Sequence, residues 1–187
     1  MLMKKILIGL IFLLIAVFFT KSVLAQYPVS SLPSSSPTSL ELSQQVNSYE
    51  LFWPLTAGRT VDDSLYSLKL FKEKIRGWLI FGIQQKADYA AMLTTKRVLE
   101  AEKLINENKT NLVGQTFNMA SSQLDIVNDQ LKMAKQKNEK MGQTATDLSN
   151  KLNNLEKFLN NLLNNKPEYQ TQIKNLLEKI QSAKNNL

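Results

Sequence analysis

Asp125 and Asp129 stand four residues apart in a stretch with helical spacing, and they are the acid pair best placed to do chemistry. Two carboxylates one turn apart are able to hold a cation or to divide acid and base roles. Nothing nearby supplies further oxygen ligands from a loop, and Lys132 offers an ordinary ion-pair partner, so a structural role is the simpler expectation. Glu100 and Glu102 point to different sides of a helix and are expected to pair with Lys96 and Lys103. Lys132, Lys135, Lys137 and Lys140 form a basic run. Its default is a solvated face, with anionic wall polymer or lipid headgroups as the functional alternative. Asn108-Lys109-Thr110 matches a glycosylation sequon, a triplet frequent by chance. Histidine and cysteine are absent altogether. That excludes thiol and imidazole nucleophiles, histidine acid–base chemistry, disulfides and any Cys/His zinc site. The six glycines are scattered, so there is no phosphate-cradling loop, and no nucleophile elbow occurs. No catalytic, metal or cofactor-binding residue emerges, and the expectation is a non-enzymatic protein without a cofactor.

The elements that would carry these residues are helical. At 187 residues and 43% hydrophobic composition the chain is sized for one domain with an appendage. Four of its five prolines precede residue 55, leaving the remainder almost free of helix breakers. A first helix is predicted from near Thr60, with Thr60 and Asp63 at capping-box spacing. Leu65, Leu68, Phe71, Ile75 and Trp78 then recur at helical steps, and Leu79-Ile80-Phe81 is apolar all round, predicting a buried far end. A second helix over 84–108 carries Ala87, Ala91, Thr94, Val98, Ala101 and Ile105, a narrow seam of small residues suited to close helix approach. Residues 109–111 read as a turn.

From Val113 to Leu187 apolar residues hold a heptad register, and among its core positions only Asn138 and Lys166 are plainly polar. Gly142, followed by Thr144 and Asp147 at capping-box spacing, is a candidate break, and Pro167 suits the first position of a new helix. One long kinked helix and a set of antiparallel hairpins both satisfy this register, and burial in a single chain favours the hairpins. The fold class expected is all-α: a helical bundle of antiparallel hairpins with a heptad-rich, coiled-coil-like C-terminal half. Leu148, Leu152, Leu155, Leu159 and Leu162 are the candidate interaction seam.

The N-terminus reads as an export signal. Lys4 and Lys5 precede an uncharged, mostly aliphatic run over 6–19, and Val23-Leu24-Ala25 presents small residues for cleavage between Ala25 and Gln26. A spanning helix needs about 20 apolar residues, so cleavage is favoured over retention as an N-terminal anchor. Cleavage removes three lysines and no acid, lowering the net charge of +7 by three to +4. That modest excess, spread along helices, argues against nucleic acid as a partner. Residues 26–43 form a Ser/Pro-rich spacer. Residues 41–59 hold a dense apolar group, Tyr49, Leu51, Phe52, Trp53 and Leu55, expected to pack its aromatics onto the helices, with surface adhesion as the alternative. The domain plan is thus a signal over 1–25, the spacer, a helical domain over 44–141 and C-terminal helices over 142–187. Export without cysteine points to a bacterial envelope or cell surface.

Leu65-Tyr66-Ser67-Leu68-Lys69, followed by Phe71-Lys72-Glu73-Lys74-Ile75, then Lys86-Ala87-Asp88-Tyr89 and 96–104 with its Lys-Arg and Glu-Ala pairs, resemble the bacterial family known as domain of unknown function 5667. The resemblance runs from about Leu51 to Lys140 and departs at Ser64, where the family often has proline. It implies an exported or membrane-linked helical bundle and brings no catalytic residues. Together these readings predict a structural or protein-interaction module of the cell envelope, binding a partner or itself through helix faces and touching membrane only through an uncleaved N-terminal segment. A small-ligand or stress-sensing bundle is the second reading, and a membrane-anchored scaffold the third.

Overall fold

The computed structural model describes residues 47–187, and among them there are six α-helices and no strand. The expected signal over 1–25, its cleavage point at Ala25 and Gln26, and the spacer over 26–43 lie outside the described residues. In chain order the helices are α1 (Ser48–Phe52), α2 (Tyr66–Trp78), α3 (Ile83–Asn106), α4 (Val113–Gln136), α5 (Gly142–Asn165) and α6 (Gln170–Asn185). One-turn 3-10 segments, Thr110–Leu112 and Pro167–Tyr169, lead into α4 and α6. None of the described helices is long and apolar enough to cross a membrane.

Two asparagines stop α3 and α4. Asn108 and Asn138 take φ of 58° and 51°, the left-handed conformation that Asn tolerates better than other side-chain-bearing residues. Beyond Asn108 the Lys109 N–H donates back to the Leu104 carbonyl at 2.8 Å, and the Asn108 N–H to Ile105 at 3.1 Å. The same pair recurs after α4, with Glu139 N–H on Ala134 at 2.9 Å and Asn138 N–H on Lys135 at 3.1 Å. Carbonyls otherwise orphaned at the helix ends are thereby satisfied as the chain reverses.

The turn at Asn108 makes an antiparallel hairpin of α3 and α4, that at Lys166–Pro167 makes one of α5 and α6, and Asn138 reverses the chain between them; the two hairpins pack side by side around one core. α3 runs beside α5, joined by Lys151 and Asp88. α4 runs beside α6, with Ser121 on Asn175 at 2.9 Å and Lys179 on Asp125 at 2.6 Å. Small residues on α3 (Ala87, Ala91, Ala101) are buried, and among the described helices α3 and α4 make the most extensive packing. The heptad positions Phe117, Leu124, Leu131, Leu148, Leu155, Ile173 and Ile180 fill the interior at no more than 1% exposure. Asn138 and Lys166, the polar exceptions in the register, are both turn residues: Asn138 in the left-handed position, Lys166 closing α5 just before Pro167. The hairpins are therefore what the chain adopts, and an unbroken rod is excluded.

Four local expectations need correction. α2 begins at Tyr66 rather than near Thr60, because Thr60 donates to Asp62 instead of capping and Asp63 folds onto the Leu65 N–H at 2.8 Å. Thr144 and Asp147 form no capping box; Asp147 accepts from the Gln143 side chain at 3.0 Å. In the aromatic lead-in only Phe52 is buried, edge-on to Phe158 at 5.6 Å, while Tyr49 and Trp53 are exposed and tilt against each other at 4.9 Å. Most consequentially, Leu79 and Phe81 are exposed rather than buried.

Candidate functional site

The residues that sequence singled out for chemistry lie apart from any enclosed site. Asp125 is exposed on α4 and paired with Lys179 of α6 rather than with Lys132, and Asp129 is exposed one turn on. No group of three His, Cys, Asp or Glu side chains among the described residues is arranged to hold a metal ion. Lys132, Lys135, Lys137 and Lys140 are all exposed. Leu148, Leu152, Leu155, Leu159 and Leu162 are buried against the chain's own helices, so within one chain the candidate seam is already occupied.

A different constellation, absent from the candidates above, lies between α2 and α3. Glu100 has no exposed side-chain surface, and both its oxygens are engaged. Oε2 accepts from the Tyr66 hydroxyl at 2.9 Å, and Oε1 accepts from Arg97 at 2.5 Å and from Lys69. Arg97 in turn donates to Glu73 of α2. Lys69 also donates to the Arg59 carbonyl at 2.7 Å, tying the loop before α2 into the same cluster. Two cations and two carboxylates make the cluster neutral, which offsets much of the cost of desolvating them. Burial pushes the Tyr66 hydroxyl well above its ordinary pKa, and the Glu100 charge adds to this, so Tyr66 is a fixed donor. Burial draws the Lys69 ammonium down, opposed by its bond to Glu100. A carboxylate with every oxygen engaged and no solvent access is a clamp, not a base for substrate. The expected pairing of Glu100 and Glu102 with Lys96 and Lys103 does not occur: Lys96 lies 4.0 Å from Glu73, and Lys103 lies 3.9 Å from Glu107. The overlooked signal was that Tyr66, Lys69 and Glu73 recur at helical steps too. They form a polar face that needs polar partners.

The clamp decides which side of α2 faces out. With Tyr66, Lys69 and Glu73 inward, helical periodicity places Leu68, Phe71, Ile75 and Trp78 on the opposite side. Their exposures are 62%, 60%, 41% and 81%, and Leu79 and Phe81 continue the ridge at 61% and 85%. Lys72 and Lys74 flank it, both exposed and in no ion pair among the described residues. Scattered exposed apolar residues are ordinary, but six along one helix and its exit form a contiguous patch of the kind that marks an interaction surface. Beneath α2, an open cleft of about 450 Å³ is bounded by Leu70, Glu73, Gly77, Tyr89, Ala90 and Met119. The Glu73 Oε1 atom is buried without a hydrogen-bond partner, 4.0 Å from the Lys96 ammonium.

A family model described as a domain of unknown function (DUF5667) matches residues 58–187, from the loop before α2 through the last helix. No curated protein and no solved structure matches the chain.

Proposed function

This chain belongs to the DUF5667 family, and from that premise we propose that it is an exported, non-enzymatic interaction module of the bacterial cell envelope that docks through the outer face of α2. The observation that carries the reading is the outward ridge of Leu68, Phe71, Ile75 and Trp78 on a helix whose polar side is clamped inward. The leucine seam, by contrast, is spent on the chain's own core, which moves the docking surface from α5 to α2. The export half of the reading rests on the segment over 1–25.

The test is a photo-crosslinking side chain placed at Phe71 in the native cell, with a second at exposed Asn160 as a control, and with the N-terminus of the recovered protein determined. A start at Gln26, together with a reproducible envelope adduct at position 71 and none at 160, is the expected result. A cytosolic chain, or equal labelling at both positions, contradicts it.

A second reading, a small-ligand or stress-sensing bundle, draws support from the cleft under α2, whose lining includes the Glu73 side chain. It requires a cationic or hydrogen-bond-donating ligand there, and a thermal shift produced by such compounds in wild type but not in Glu73→Gln separates it from the first.

A further inference from the structure

Resting on the reading of α2's outer face as a docking surface, we infer that its occupant is the surface of an anionic lipid bilayer, on which α2 and the turn after it lie flat. Charge is the first argument. Between Ser64 and Ala87 the only acid is Glu73, and Glu73 is turned inward onto Arg97. The outward side therefore carries Lys72 and Lys74 beside an apolar ridge with no negative group of its own, while Arg76 turns inward over the Tyr89 ring. A second copy docked ridge to ridge would set these cations against their own kind, so the face is complementary to an anionic partner and not to itself.

Shape and composition are the second argument. Thirteen residues make a rod about 20 Å long. Along it Leu68, Phe71, Ile75 and Trp78 form one line, with Lys72 to one side and Lys74 to the other. An apolar line flanked by cations on both sides is the arrangement of a helix lying in a membrane interface: aliphatic and Phe side chains enter the acyl boundary while the lysines reach the phosphates. Trp78, at the end of α2, is the residue type most at home at headgroup level. Leu79 and Phe81 extend the inserting surface past the helix end. The protein side of α2 is equally suited, because its polar face is satisfied by the clamp rather than by water and nothing polar must be dragged into the lipid. This contact is distinct from any anchoring by the N-terminal segment.

The experiment uses the full chain carrying Trp53→Phe, which leaves Trp78 as the sole tryptophan. A reporter on α2 reads this face alone, even where the leading segment also meets lipid. Vesicles of phosphatidylglycerol, with and without brominated acyl chains, are compared with vesicles of phosphatidylcholine. The inference predicts a blue shift and bromine quenching of Trp78 on phosphatidylglycerol, little of either on phosphatidylcholine, and binding weakened at least about tenfold by Lys72→Glu with Lys74→Glu. Trp78 emission unchanged on anionic vesicles overturns it, as does equal quenching on both lipids. Doubled mass by light scattering with Trp78 shielded before lipid is added identifies a second copy as the occupant. A position-71 crosslink to an acidic envelope protein, with no lipid quenching, identifies a protein partner. Either of these overturns the lipid assignment while leaving the docking face intact, whereas absence of any position-71 adduct removes the docking face itself.

Discussion

The hydroxyl of Tyr66 on α2 donates to Oε2 of the buried Glu100 carboxylate on α3 at 2.9 Å. The α2 backbone stands off from the bundle rather than packing directly on it as α3 to α6 pack on one another. Long polar side chains span the gap. Held by so few groups, α2 has its rotational setting determined by polar matching and not by apolar burial, which is how a helix comes to wear its hydrophobic side outward.

Removing members of this clamp has graded costs. Tyr66→Phe leaves Glu100 its two cations and is expected to cost about 1 kcal/mol, the loss of one hydrogen bond. Glu100→Ala takes the carboxylate from Lys69 and leaves Arg97 with Glu73 alone, and is expected to cost about 3 kcal/mol. Chemical denaturation of the two variants measures the difference, and equal costs would show that the carboxylate is not the hub.

The ridge and the core respond oppositely to polar substitution. Phe71→Ser and Trp78→Ser change stability by no more than about 0.5 kcal/mol, as surface substitutions do. Phe158→Ala and Leu155→Ala, at 2% and 1% exposure, each cost about 2–5 kcal/mol. Thermal unfolding followed by circular dichroism distinguishes them. A large loss at Phe71 would mean that the ridge is packed within the chain.

The two left-handed asparagines give a backbone prediction. Asn108→Ala and Asn138→Ala each cost up to about 1 kcal/mol, because alanine keeps the Cβ but loses the short polar side chain that makes the left-handed conformation tolerable for asparagine. Asn108→Gly and Asn138→Gly are neutral or stabilising, since glycine adopts that conformation freely. Denaturant midpoints of the four variants test it.

Asp62 supplies a pH dependence. Its hydrogen bond from Lys109, at 2.6 Å, and that from Thr60 hold its carboxyl down at about 2, below its ordinary 3.8. A depressed carboxyl stabilises the fold above its unfolded pKa, and that contribution fades as pH falls from about 4 through about 2. Melting temperature measured across this range should fall less steeply in Asp62→Asn than in wild type. The difference should shrink in high salt because the pair is exposed.

Much of this architecture is legible in the sequence, and the exceptions share one cause. The heptad register identified the interior of α4, α5 and α6, and the candidate breaks at Gly142 and Pro167 stand at the first residue of α5 and just after its last. The alanine seam of α3 was equally plain. What hydrophobic periodicity could not settle was the orientation of α2, where two faces repeat with the same spacing. The apolar face of Leu68, Phe71, Ile75 and Trp78 invites burial, but Arg97 and Glu100 sit in the facing surface of α3. Burying them demands Tyr66, Lys69 and Glu73 as partners. Arg97 and Glu100 bond each other, but covering them with an apolar face would leave their remaining donors and acceptors buried without partners. That costs more than leaving four apolar side chains in water, so the polar face wins and the end at Leu79–Phe81 goes out with the ridge. The capping box at Thr60 and Asp63 failed for a local reason: the Thr60 hydroxyl donates to Asp62, which Lys109 also holds, and Asp63 accepts from Arg59 and the Leu65 N–H.

The central claim is that α2 presents its apolar side to the surroundings, and thiol labelling tests it most directly because the chain has no cysteine of its own. Single-cysteine chains carrying Phe71→Cys on the ridge, or Ala90→Cys beneath α2, are reacted with a thiol reagent at low protein concentration without lipid. The account predicts that Phe71→Cys reacts as fast as the same thiol in the denatured chain, while Ala90→Cys, at a site only 3% exposed, reacts orders of magnitude more slowly. Protection of Phe71→Cys in a monomer would mean that the ridge is buried within the chain, and the account would be wrong.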